Sequence, residues 1–285
     1  EQFFTWPLSD TESHKQSPPT FRSMASSTAR ARDQAGTWLE WLAAIVSVLS
    51  ERVQLTTISL PSFPIDDFTR LSDDDIEQLA ISTRKHFGLG SGPISNLTLL
   101  LENNCVVIAF KKLNHDLSGL SQWFDGRPFV LIDPSASAAR TRFSLAHELG
   151  HIILHKQLAS ESELMDKELL KLIEHQANYF GSAFMLPEDS IATEVYGVDW
   201  QSLIAIKARW LMSISAIVMR LYSIDLIDEN QKTRIFREIS ARNARKREPL
   251  DSDIPQDYPR LIRKVVDFLH SETVLESSSI PSMIR

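Results

Sequence analysis

Cysteine is almost missing from this chain: Cys105 stands alone. One thiol allows no internal disulfide, so the fold has to be held by burial and hydrogen bonding, and the composition suits a reducing, cytoplasmic setting. Its surroundings, Cys105-Val106-Val107-Ile108-Ala109-Phe110, read as a short buried strand with an inert structural thiol. No run approaches the eighteen or so consecutive apolar residues of a membrane-spanning helix, so a soluble protein with no membrane partner is expected. An excess of positive charge is also lacking. Lys and Arg number 30 against 37 Asp and Glu, for a net charge of -7. A broad positive field for nucleic acid is thereby excluded, and direct nucleic-acid binding is not expected of the chain beyond local patches. The first residues show neither a charged n-region nor an apolar h-region, so no secretory signal is expected. With 285 residues, 43% of them apolar, there is material for one large domain or two modest ones.

What is present is concentrated in Arg142 to His155, RFSLAHELGHIILH. His147-Glu148-Leu149-Gly150-His151 is a HExxH motif. On an α-helix, residues four apart share a face one turn apart, so His147 and His151 can reach one metal ion. Glu148 flanks that face, where a carboxylate can take a proton from a water at the metal without ligating it. Phe143, Leu145, Ala146, Leu149, Ile152, Ile153 and Leu154 predict a largely buried helix. Gly150 inside it costs roughly 1 kcal/mol against alanine, which points to a packing reason such as the close approach of another backbone.

A zinc site needs a further ligand. His155 continues the stripe but lies about 12 Å along the axis from His147, at about 1.5 Å per residue, too far to share the ion, and reads as a packed or capping histidine. The longer metzincin pattern would need a histidine where Gln157 stands. A second helix, from about Ser162 to Leu186, carries Leu169, Leu170, Ile173, Ala177, Phe180 and Phe184 at helical spacing. A Ser160-x-x-Glu163 capping box precedes it and Pro187 follows. An antiparallel return across the first helix makes Glu174 the better third ligand, with the small Ala177 one turn beyond. Its neighbour His175 is the rival.

These motifs resemble those of the ImmA/IrrE family of metallopeptidases: HELGH preceded by Arg-Phe-Ser-Leu-Ala, then Glu174-x-x-Ala177-Asn178-x-Phe180, then Phe184-Met185-Leu186-Pro187. The resemblance implies a zincin-like, gluzincin-type domain with Zn²⁺ on His147, His151 and Glu174 and with Glu148 as base. It implies a protein substrate, a transcriptional repressor of a stress regulon or mobile element. Family members are often fused to a helix-turn-helix domain. Phe3-Phe4, Pro7 and Phe21-Arg22-Ser23 with Ala31-Arg32 look like the connector that follows such a domain in the longer, XRE-type members.

In chain order, residues 1–30 read as an extended segment pinned by aromatic groups. Thr28 to Val53 is an amphipathic helix with Trp38, Leu42, Ile45, Leu49 and Val53 on one side. Ser59 to Pro64 is a linker, and Asp66 to Phe87 a helix opened by Asp73 to Asp75. Gly88 to Pro93 is a turn: no Lys-Ser/Thr follows it and no strand precedes it, as a phosphate loop would require. Leu120 to Phe124, Asp125-Gly126 and Arg127 to Asp133 form a hairpin. Pro128 places the second arm on an edge, and an edge bordering the cleft could take peptide by strand addition or be covered by the chain's own tail. Glu188 to Trp200 reads as a connector and Leu203 to Leu226 as one helix packed in the core rather than a DNA-reading element. Lys232, Arg234, Arg237, Arg242, Arg245, Lys246 and Arg247 form a basic run, read as a solvated helix face or as a contact for an acidic partner or DNA backbone. Tyr258 to Leu269 is a closing helix, and the serines at 277–279 mark a frayed end.

The expected class is α+β, a zincin-like core with a small β-sheet flanked by helical segments. The divisions expected are an extended connector at 1–34, a helical region at 35–92, the metallopeptidase domain at 93–226 and a helical region at 227–285. The expected activity is zinc-dependent peptide hydrolysis, with Tyr179, Tyr196 or His175 as stabiliser of the oxyanion. The alternative is a non-hydrolytic zinc-binding regulator that docks to a partner protein or DNA.

Overall fold

The computed structural model describes residues 20–21, 29–55, 57–113, 117–156 and 166–271. The fold is α+β, mostly helical around one small sheet. Most of the segment at 1–30, the Ser160 capping box and the serines at 277–279 lie outside the described residues.

The sheet comprises β1 (Thr20–Phe21), β2 (Val107–Phe110), β3 (Gly119–Phe124) and β4 (Arg127–Ile132), in the order β1-β3-β4-β2. The expected hairpin forms. Strands β3 and β4 pair antiparallel, and the turn residues Asp125 and Gly126 take φ of 47° and 76°. Positive φ at both central residues is what the Asp-Gly pair supplies most readily. The expectation for the second arm is corrected: β4 is internal, antiparallel to β3 and parallel to β2. Pro128 is tolerated because the pairing with β2 starts one residue later, at Val107 with Phe129. The missing N–H therefore costs no bond on that side. The outer edge of β3 is taken by the chain itself, with Thr20 opposite Ser121 and Phe21 opposite Leu120.

Alternation along the strands gives the sheet two faces. Leu120 and Phe124 of β3 meet Phe129 and Leu131 of β4 and the buried side of α1 (Ala29–Ser50), where Ala35, Leu39, Leu42 and Val46 recur at helical spacing. The other face, with Val130 and Ile132, lies against α4 (Ala138–Leu154).

Helix α2 (Asp73–His86) starts later than its apolar pattern suggests. Ser72 and Asp75 form a reciprocal capping box, and Phe68–Arg70 before it is a single 3-10 turn capped by Asp67. Short α3 (Leu97–Asn103) precedes β2. Helix α5 (Lys167–Met185) is capped by Asp166, whose Oδ1 accepts from Glu168 N and Leu169 N. The expected start near Ser162 is thus corrected, because a carboxylate at the cap satisfies the first free N–H groups.

Beyond Pro187 two more expectations fail. The connector contains a helix, α6 (Glu188–Glu194). The single helix at 203–226 is two, α7 (Trp200–Trp210) and α8 (Ile214–Ser223), set at 99°. Leu211, in the left-handed region at φ 56°, turns the chain. Both helices serve the core, as expected, through Leu203, Ile206, Trp210, Ile214, Ile217 and Leu221. No single described helix is long and apolar enough to cross a membrane.

The basic run begins in α9 (Glu229–Ala241), and part of it is paired locally. Lys232 meets Glu229 and Arg242 meets Glu238. Helix α10 (Leu261–Ser271) packs Val265, Val266 and Leu269 against Leu49 of α1, its first amides held by the buried carboxylate of Glu102.

Buried ionic groups tie these helices together. Arg220, fully buried on α8, makes paired 2.7 Å bonds to both carboxylate oxygens of Glu77 and a 2.9 Å bond to the carbonyl of Leu186. Arg84 bonds the carbonyls of Phe184, Gly90 and Gly92, and burial pulls its guanidinium down to about 10.

Candidate metal centre

Helix α4 is the buried helix the HExxH motif requires: Leu145 through Leu154 are all buried, with His147 and Glu148 at 0% exposure. Its partner α5 runs antiparallel at very short range. A Cβ on Gly150 would lie 3.1 Å from Ala177 Cα and O, and one on Gly181 would lie 3.0 Å from the backbone nitrogen of His147. Position 150 therefore faces 177 while 147 faces 181, which sets the opposite directions. Two glycines, one per helix, bring the backbones close enough for one short carboxylate to span both histidines.

That carboxylate is Glu174. Nε2 of His151 lies 2.9 Å from Nε2 of His147. Oε2 of Glu174 lies 3.7 Å from His147 Nε2, and Oε1 lies 3.7 Å from His151 Nε2. One ligand atom from each of the three lies within 4.8 Å of the others. A tetrahedral zinc with bonds of about 2.0–2.1 Å holds its ligand atoms about 3.3 Å apart, between the spacings seen here. Two imidazoles and one carboxylate are also the donor set of a three-ligand catalytic zinc site. The residues present fit the metal.

Second contacts hold the donors in place. His147 Nδ1 is 2.9 Å from Asn178 Oδ1, one turn after Glu174 on α5. His151 Nδ1 is 3.1 Å from His155 Nδ1. His155 Nε2 is 2.9 Å from Gln176 Oε1, and Gln176 Nε2 donates at 2.7 Å to the Phe68 carbonyl. His155 is thus the packed histidine expected, and burial pushes its imidazole down to about 4. Glu148 sits beside the cluster with Oε2 accepting a 2.7 Å bond from Ser121 Oγ on β3. Gly119, two residues earlier on the same strand, leaves the room this carboxylate occupies.

His175 points elsewhere: its Nε2 meets Asp73 Oδ1 at 2.7 Å, a half-exposed pair at the start of α2. The rival ligand is excluded because successive helix residues diverge by about 100°. Tyr179 packs beneath the guanidinium of Arg220, 5.6 Å from its ring centre, with burial raising its hydroxyl, and Tyr196 is 96% exposed. Ser121, Asn178 and Gln176 carried no role in the sequence reading. The available signal was a pair of amides close behind Glu174 on a helix whose neighbours are apolar.

Residues 102–222 match the family model Peptidase_M78, described as the IrrE N-terminal-like domain. That stretch is similar to the ImmA/IrrE family of metallopeptidases. It contains the whole HExxH helix, Glu174 and the strand that carries Ser121. No curated protein matches the chain. Among solved structures, a Mycobacterium tuberculosis transcriptional regulator matches at 17% identity, with a TM-score of 0.39, over 55% of this chain and 48% of that one. The chain thus spans about half the length of that protein.

Proposed function

We propose that this chain is a zinc-dependent endopeptidase whose protein substrate is a DNA-binding repressor or related regulator of a stress or mobile-element response, in the cytoplasm. The observation that carries the hydrolytic part is the position of Glu148. It is a carboxylate outside the His147, His151 and Glu174 donor set, adjacent to it on the same helix and fixed by Ser121. A purely structural metal site needs no such group. The regulatory part comes from the family likeness.

His147, His151 and Glu174 would hold a zinc ion, which would supply Lewis acidity toward the scissile carbonyl and the attacking water. Glu148 takes the proton from that water and delivers it to the leaving amine, so one carboxylate serves as base and then as acid. Ser121 holds one oxygen of Glu148 in place beside the donor set. Asn178 and His155 hold the two imidazole rings.

Elemental analysis of the purified protein tests the site: about one zinc per chain is expected, removed by a chelator and lost in Glu174→Ala. A metal-free wild type that takes up no added zinc contradicts it. Zinc binding without cleavage of any candidate regulator favours the docking regulator instead.

A further inference from the structure

The polar contacts behind His151 form a chain whose direction is set at its far end. The Phe68 carbonyl can only accept, so the Gln176 amide must present its NH₂ there, at 2.7 Å. Its oxygen then faces His155 Nε2 at 2.9 Å, and that nitrogen must carry a hydrogen. His155 is 2% exposed and Gln176 fully buried, so water does not compete for these contacts. Among the described residues, the other polar and ring contacts of His155 are Nδ1 of His151 and the edge-on ring of Phe68 at 5.3 Å. A neutral imidazole carries one hydrogen, and the Gln176 oxygen claims it at Nε2. His155 Nδ1 therefore accepts and His151 Nδ1 donates. The proton of His151 is thereby placed on Nδ1, and a lone pair is left on Nε2, the atom that faces the other two donors, 2.9 Å from His147 Nε2 and 3.7 Å from Glu174 Oε1.

We infer that His155 and Gln176 are positioning residues for His151: a relay anchored on the Phe68 carbonyl selects the tautomer and ring orientation with which His151 meets the metal. The inference deepens the metal-centre reading and rests on it. The relay is neutral throughout, so it orients the ligand without adding a further carboxylate to Glu174 and Glu148. It also joins the site to the 3-10 turn at Phe68–Arg70, which belongs to neither metal helix.

Two measurements test it. In metal-free wild type near about pH 8, nitrogen-15 NMR of the imidazoles should find His151 with its hydrogen on Nδ1 and His155 with its hydrogen on Nε2. His151 protonated on Nε2 overturns the relay, whatever the metal affinity. Zinc affinity, read by competition with a chromophoric chelator, should fall about 10- to 100-fold in His155→Phe, which keeps a ring and loses the acceptor. It should recover most of that loss in His155→Asn, whose amide oxygen can stand where Nδ1 stood. A Phe variant that binds zinc as tightly as wild type, or an Asn variant as weak as Phe, overturns the proposal. A wild type with the expected tautomers that binds no zinc overturns the metal-centre reading itself, so the two failures are distinguishable.

Discussion

Ser121 Oγ donates a 2.7 Å hydrogen bond to Glu148 Oε2. One strand of the small sheet is thereby tied to the carboxylate proposed as base, and the sheet takes part in the site as well as covering it. Ser121→Ala is expected to lower kcat about 10-fold or more while zinc affinity changes less than about 2-fold, because the contact orients Glu148 and touches none of the three donors. Steady-state kinetics beside a zinc titration read the two effects separately. Equal losses in both would place Ser121 in the metal's support instead.

The helix contact at Gly150 makes a second prediction. A methyl there would press on the Ala177 backbone at 3.1 Å, and backbone cannot rotate away as a side chain can. Gly150→Ala should cost about 1–3 kcal/mol of stability by urea unfolding, despite alanine's better helix propensity. Because Glu174 and the histidines sit on the two helices being forced apart, zinc affinity should fall with it. A stabilised variant would contradict the packing argument.

Thr20 and Phe21 occupy the edge of β3 opposite Ser121 and Leu120. A peptide that binds by adding a strand beside Glu148 would compete with this segment. Deleting residues 1–21 should lower KM for a peptide substrate several-fold and leave kcat nearly unchanged. An unchanged KM would mean that substrate lies elsewhere.

Arg220 and Glu77 form a buried pair between α8 and α2. Glu77→Ala strands a guanidinium at 0% exposure and should cost about 3–5 kcal/mol, read as a shift of the urea midpoint. The loss should be in stability, with the zinc content of the folded fraction unaltered.

The parts of this molecule that were legible in the sequence are those whose signals are local. Four-residue spacing placed His147 and His151 on one helix face, Asp125-Gly126 marked the hairpin, and the periodicity to Phe184 marked the helix that brings Glu174. The break between α7 and α8 was hidden because its causes are not local. Leu211 adopts the left-handed conformation without being glycine. The first amides of α8, at Ile214 and Ser215, are held by the buried carboxylate of Glu248, far along the chain and itself paired with Lys207. The internal position of β4 was concealed by Pro128, an edge signal that applies to one residue and not to the strand. Ser121 was invisible as a site residue because only sheet pairing brings it to Glu148.

The central claim is that the HExxH helix carries a working base beside a metal, and Glu148→Gln addresses it most directly. The substitution keeps the size and removes the proton acceptor. Zinc content and cleavage of a co-encoded DNA-binding regulator are measured side by side for wild type and variant. The account predicts equal zinc in both proteins and cleavage by the wild type alone. Cleavage retained by Glu148→Gln, or no cleavage by a zinc-loaded wild type, would contradict it.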